Sequence, residues 1–206
     1  MTYINMKFSK FFSNIQETSW YRTFLNPVID EISAGELLDI GTGSGKLIQI
    51  LSNEKGIDCV GVDTNADMIK EAKNKLKKTN IEILKIEANK KLPFKDDSFN
   101  YVTICNVLFH LNNENIDLML QDSKRLLKED GKIIILTPTG IGNIFTLTKH
   151  FFSLKNMSIF IWFYATRSRA KIWSNANYLK KYTSKNNLLY TSKIVMNGFA
   201  QLEIIN

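Results

Sequence analysis

Cysteine, proline and histidine are scarce in this 206-residue chain, at 2, 3 and 2 residues. Cys59 and Cys105 lie far apart inside apolar runs, which gives neither a disulfide framework nor a zinc-ligand spacing. Two buried thiols in a reducing compartment is the reading that follows, and with it a cytoplasmic location. Only 10 glycines and a 44% hydrophobic, 23% charged composition exclude collagen-like, low-complexity and disordered chains. Long apolar runs are missing as well. The most apolar stretch, Met157 to Ala165, is about half of the ~20 residues that span a bilayer. The first residues, MTYINMKFSKFFSNIQ, lack an apolar core with a small-residue cleavage site, so no signal peptide is expected. The length suits one domain over 1–206, with enough core to need no staple.

Acidic residues are absent from one part of the chain. Residues 1–138 hold 18 Lys and Arg against 19 Asp and Glu. Residues 139–206 hold 9 against the single Glu203, and no position from Gly131 through Leu202 is acidic. A basic part beside a near-neutral part suggests an anionic partner. Lysine makes up 23 of the 27 basic residues, a bias that an AT-rich genome produces whatever the function. Such bias adds lysines but does not remove acids from one part only. A functional basic surface and compositional drift both stay open.

What the chain does have is alternation. Residues 14–32 carry apolar side chains near helical spacing, interrupted by Pro27. A short apolar strand at 36–40 runs into Gly41-Thr-Gly-Ser-Gly45, and 46–52 reads as a helix. Strand 57–62, helix 65–78, strand 81–86, loop 92–98, strand 99–105 and helix 114–129 follow, with Gly131 where a helix C-cap belongs. Strand 132–136 ends at Pro138. The pattern predicts a parallel sheet covered by helices on both faces. Residues 144–173 are helix-like and aromatic-rich, 174–183 reads as one more helix, and runs 187–195 and 199–205 flank an Asn197-Gly198 hairpin signal. The expected organisation is a helical cap at 1–35, a core at 36–138, a helical insert at 139–183 and a closing hairpin at 184–206.

The segment with chemical content is Asp39-Ile-Gly41-Thr42-Gly43-Ser-Gly45, after a strand and before a helix. Glycines let a turn fold tightly and let backbone N–H groups approach a ligand. A dinucleotide fingerprint would need a third glycine at position 46, which is Lys46. Asp63 stands 22 residues after Gly41 at the end of the second strand, where a carboxylate can accept from two ribose hydroxyls.

ELLDIGTGSGK, CVGVDTNADMI, LPFKDDSFNYVTICNVLFHL and LLKEDGKIIILTP together resemble the class I S-adenosylmethionine-dependent methyltransferases, over residues 36–138. The resemblance is to the small-molecule branch often called methyltransferase domain 11 or 25. It implies a Rossmann-like three-layer α/β sandwich whose seven-stranded sheet has the order 3-2-1-4-5-7-6, strand 7 antiparallel. It implies S-adenosyl-L-methionine as cofactor and methyl transfer as the activity. Gly41, Gly43 and Gly45, with Thr42, would then line the methionine and ribose part. Asp39 would sit beneath the loop near the methionine amine, and Asp63 would hold the ribose. Thr64 and Met68 would pack near the adenine, and Asn106 and Val107 would offer carbonyls beside the methionine. The family's adenine-contacting acid is displaced here: Ala88 and Asn89 occupy its place and Glu87 lies one residue early.

Methyl transfer from a sulfonium needs alignment more than acid–base help, and a base only where the acceptor must lose a proton. His110, just past the fourth strand, is the one candidate base near the transfer point, against a purely structural loop role; His150 is weaker. Trp20-Tyr-Arg22 suits either closure over the cofactor carboxylate or, for Trp20 above all, helix packing. The chain has no Pro-Pro-aromatic element after the fourth strand, no Pro-linked Cys near the site and no acid in 131–202, which demotes three nucleic-acid methylation chemistries. The insert 151–173 sets seven aromatics beside Lys155, Arg167, Arg169 and Lys171. That mixture suits a plain lid with core aromatics, a lipid-like, quinone-precursor or aromatic acceptor, docking to an anionic membrane, or single-stranded nucleic acid, the last less favoured. A small-molecule methyltransferase is the leading expectation. An RNA-binding methyltransferase and a non-catalytic cofactor-binding protein are the alternatives.

Overall fold

A computed structural model of the chain describes residue 10, residues 13–153 and residues 156–206. Lys155 of the insert lies outside the described residues. The strands are β1 (Glu36–Ile40), β2 (Asp58–Asp63), β3 (Glu82–Lys85), β4 (Phe99–Cys105), β5 (Leu127–Pro138), β6 (Tyr190–Val195) and β7 (Ala200–Ile205). They form one sheet in the order β3-β2-β1-β4-β5-β7-β6. β1 to β5 pair in parallel, and β7 runs antiparallel to both β5 and β6. This is the Rossmann-like order that the resemblance implies. The central strands are covered on both sides, which explains their unbroken apolar runs: Leu37 and Leu38, Val102 and Ile104, and Ile133 through Leu136 are almost fully buried.

The helices are α1 (Ser19–Glu31), α2 (Lys46–Lys55), α3 (Ala66–Leu76), α4 (Asn113–Leu126), α5 (Ile144–Phe151), α6 (Ser158–Ala176) and α7 (Tyr178–Lys185). Two apolar layers result. One joins α1, α2 and α3 to α5 and the first half of α6, through Phe24, Leu51, Leu147 and Phe163. The other joins α4 and α7 to Trp173 at the end of α6, through Leu120 and Leu179. Helix α6 thus contributes to both layers, one from each end.

Four local readings change. Helix α1 continues through Pro27, because its six buried side chains outweigh the one backbone bond that proline removes. Helix α4 stops at Leu126 and β5 starts at Leu127, so Gly131 is no helix cap. Between the pairs Phe99–Leu127 and Tyr101–Lys132 the register shifts, and residues 128–131 bulge from β5. Asp130 takes the left-handed turn there at φ 63°, and a Cβ on Gly131 would come within 2.9 Å of the Lys128 carbonyl. The helical break in the insert falls at Asn177, left-handed at φ 49°, rather than near residue 174. The hairpin turn uses Met196, Asn197 and Gly198, all at positive φ.

Candidate active site

The carboxyl ends of β1, β2 and β4 border a cavity of about 660 Å³, within the range of roughly 300–1,000 Å³ usual for small-molecule sites. Open parallel sheets bind ligands at this end, because the loops leaving adjacent strands diverge there. Asp39, Gly41, Thr42, Gly43, Asp63, Thr64, Met68, Ala88, Asn89, Asn106, Val107 and His110 all line it. Gly45 does not. It is the N-cap of α2 at φ 77°, and a Cβ there would lie 2.8 Å from Leu76 Cδ1 of α3. Its constraint is helix packing rather than ligand contact.

The glycine turn works differently from its sequence reading. Gly41 and Thr42 donate their N–H groups to the Val62 carbonyl at 2.8 and 3.0 Å, and Gly45 donates to Thr42. Gly43 donates to Asp63 Oδ2 at 2.9 Å, and Ser44 to Gln16 Oε1 at 2.9 Å. Each of the five amides has a protein acceptor, so the turn presents a bare wall, not a row of free donors. Left-handed φ values of 76° and 57° at Gly41 and Gly43 make it possible, and a Cβ on Gly41 would lie 2.4 Å from Val107 Cγ2.

Asp63 is held at both oxygens, Oδ1 accepting from the Asn65 N–H at 2.8 Å. Asn65 in turn caps α3, accepting from Asp67 and Met68. Each carboxylate oxygen keeps a lone pair for a further donor. Asp39 is buried and accepts from the Thr103 hydroxyl at 2.8 Å. Burial raises its pKa to about 6, with the Thr103 and Thr42 hydroxyls opposing and the nearby Asp63 adding to the rise. Cys105, half-buried in the cavity wall, has its thiol pushed well up by burial and by Asp39, which removes it as a thiolate nucleophile.

His110 ends a short 3₁₀ turn, Leu108–His110, at the cavity wall. Its Nδ1 lies 3.1 Å from an Arg169 guanidinium nitrogen of α6. A guanidinium only donates, so Nδ1 accepts and the neutral ring carries its proton on Nε2. Burial and the Arg169 charge lower the pKa of His110. In this arrangement the ring offers a hydrogen-bond donor and has no free lone pair to take a proton. His150 is exposed and absent from the cavity wall.

Of the Trp20-Tyr-Arg22 element only Tyr21 lines the cavity, and Gln16, Asp122 and Arg125 join it without having been expected there. Gln16 and Tyr21 come from the segment before α1 and from α1 itself; Gln16 accepts from Ser44 N and Oγ and donates to the Tyr21 hydroxyl. Glu17 pairs with Lys46 and Lys75, tying the same segment to α2 and α3. Arg22, by contrast, grips Glu54 through two bonds of 2.5 and 2.8 Å and is not in the wall. Trp20 is core, donating to Ser158 Oγ at 2.9 Å. Asp122 and Arg125 of α4 clamp the 92–96 loop: Asp122 accepts from Leu92 N–H, and Arg125 donates to the Leu92 and Phe94 carbonyls. Their three-residue spacing on one helix face was the available signal. Glu87 pairs with Lys90 at 2.7 Å and shares the cavity rim with Asn89, which is left-handed at φ 60°.

Residues 38–135 match the family described as a methyltransferase domain. The uncharacterised protein MJ1252 of Methanocaldococcus jannaschii is 34% identical over 146 residues, 70% of this chain and 53% of that protein. The ubiquinone/menaquinone biosynthesis C-methyltransferase UbiE of Desulfotalea psychrophila is 29% identical over 140 residues, 66% of this chain and 55% of its own. The chain spans about half the length of these curated relatives. Among solved structures, a SAM-dependent methyltransferase from Aquifex aeolicus superposes with a TM-score of 0.67 at 17% identity, covering 94% of this chain and 96% of that one, a likeness of fold. Residues 38–135 are thus similar to the methyltransferase domain family, and the solved structures share the fold of the whole sheet. The matching segment holds β1 through most of β5, the part of the sheet that walls the cavity.

Proposed function

We propose that this protein transfers a methyl group from S-adenosylmethionine to a small apolar acceptor. The observation that carries the proposal is a single cavity in which a side-chain-free turn and an oriented carboxylate meet an apolar wall. The residues fit the cofactor. Asp63 has one spare lone pair on each oxygen for two vicinal hydroxyls, and Gly41 and Gly43 leave room for close approach. Thr64, Met68, Ala88 and Asn89 border the space beyond Asp63 and would flank the adenine. Asp39 would face the amino group, and Asn106 and Val107 the methionine end.

When bound, S-adenosylmethionine supplies a methyl group on a sulfonium, with its leaving group already activated. The protein's own task is to align the acceptor and exclude water. Val107, Leu111, Leu118 and Met119 form an apolar wall for that acceptor, and His110 Nε2–H is positioned to donate to an acceptor oxygen. An apolar quinone-precursor, lipid-like or aromatic acceptor fits this wall, and the name of the UbiE relatives supports a quinone precursor. RNA would need a basic groove at the mouth, and the wall is mostly apolar and neutral polar, with Lys90, Lys91 and Arg125 offset by Asp39, Asp63, Glu87 and Asp122.

S-adenosylhomocysteine should raise the melting temperature of wild-type protein, since it binds only the folded state. Asp63→Ala should remove that rise. With radiolabelled cofactor, label should enter an organic-solvent extract of cells and not purified RNA. No rise for the wild type, or an undiminished rise for the variant, overturns the cofactor assignment; label in RNA alone overturns the acceptor class.

A further inference from the structure

Helices α5 and α6 pack together as an antiparallel pair. Their inner sides are core: Leu147 and Phe151 of α5 and Ile159, Trp162 and Phe163 of α6 are buried. In the segment leading into α5, a Cβ on Gly140 would lie 2.4 Å from the Arg167 carbonyl and 2.5 Å from the Lys171 nitrogen, so the approach to α5 rests on the middle of α6. At its far end, Phe151 and Phe163 both pack on Phe199. The helices therefore lie side by side, and their outer faces adjoin. On those faces Phe145 is 81% exposed, Phe152 64%, Tyr164 58% and Ile161 52%. Lys149 and Lys171 stand exposed among them, and Arg167 lies over the Phe163 ring at 5.3 Å.

Two properties distinguish this face. Large apolar side chains in such number are not left in water by a folded chain without some use. Its cations also lack carboxylate partners: the ion pairs among the described residues all join positions between Glu17 and Lys128. No acid in 131–202 offsets them. We propose that the outer face of α5 and α6 docks peripherally on an anionic lipid bilayer, apolar side chains entering the headgroup boundary and Lys149, Arg167 and Lys171 meeting the lipid phosphates. Beside the rings, the exposed aliphatic Ile161 and Ile172 of α6 favour lipid over single-stranded RNA, because they offer no ring on which a base can stack. No helix among the described residues is long and apolar enough to cross a membrane, so the contact is one of surface attachment. Helix α6 also carries Arg169 to His110 at the cavity wall, which places the docking helix beside the acceptor's route. The inference stands whether or not the acceptor is apolar.

Co-sedimentation of the full chain with phosphatidylcholine vesicles, with and without phosphatidylglycerol, tests it. Binding should appear only with the anionic lipid and weaken as salt rises. Lys149→Gln and Lys171→Gln should each lower partitioning about fivefold, and Phe145→Ser with Ile161→Ser should remove it. These variants should keep the wild-type thermal response to S-adenosylhomocysteine, which shows the fold and cofactor site intact and separates the two readings. Absence of binding to anionic vesicles, undiminished binding by the serine variant, or salt-dependent capture of single-stranded RNA in place of vesicles overturns the proposal.

Discussion

Asp39 illustrates what a single residue contributes. It sits at the end of β1 with almost no exposure, and its pKa of about 6 lies above the ordinary aspartate value of 3.8. A raised carboxylate pKa means that the folded state binds the proton more tightly than the unfolded state does. Stability from this group is therefore fully present below about pH 4 and is lost as pH rises to about 6, at a cost of roughly 3 kcal/mol. Asp39→Asn should remove that loss, and urea titrations of both proteins across this pH range should show the gap widening in the variant's favour. A parallel dependence would mean that Asp39 is charged at no cost. Paying stability for a buried carboxylate is consistent with a cationic group as its partner, the role proposed for it above.

At the scale of elements, α1 shows how a helix far from the glycine turn shapes the site. Trp20 packs on Trp162 at 5.2 Å between ring centroids and donates to Ser158, so α1 and α6 hold each other. Tyr21, its neighbour, lines the cavity. Trp20→Ala should cost about 3–5 kcal/mol in equilibrium unfolding, whereas Trp20→Phe should cost less by keeping the ring contact. Equal losses would make the indole N–H bond, not packing, the main contribution. The apolar periodicity of α1 was plain in the sequence, yet its reach over Pro27 was not, because a proline's local penalty says nothing of what the rest of the helix buries. The end of α4 was misread for a similar reason. Gly131 has the local character of a cap, and only pairing with β4 across a bulge turns residues 127–131 into strand.

For the whole molecule the uneven charge matters more than any pair. Among the described residues the ion pairs lie in the first two thirds, and no cation after residue 138 joins one. Folding gathers like charges, so screening should help. Raising monovalent salt from about 0.01 M to about 0.15 M shortens the Debye length from roughly 30 to 8 Å. We expect the melting temperature to rise by about 2–4 °C, the shift that ~1 kcal/mol gives at this size. A fall would mean that the surface ion pairs of the earlier part dominate.

Read alone, the order of residues was enough for the sheet, its strand order through the resemblance, and the part of the cavity wall that the strand ends and the glycine turn supply. These depend on features close together in the chain: a turn that only glycine can make, an acid at a strand end, an apolar run of strand length. Gln16 joined the wall only in three dimensions, since nothing in its local sequence marks the meeting, and the spacing of Asp122 and Arg125 marks a shared helix face but not what that face meets. The same holds for Gly45, assigned to the ligand wall by motif and to helix packing by geometry. It holds also for His110, whose proton sits on Nε2 because Arg169, distant in the chain, points at its other nitrogen. Short-range patterns encode what each segment can become; which side chains then face one another follows from packing the segments together.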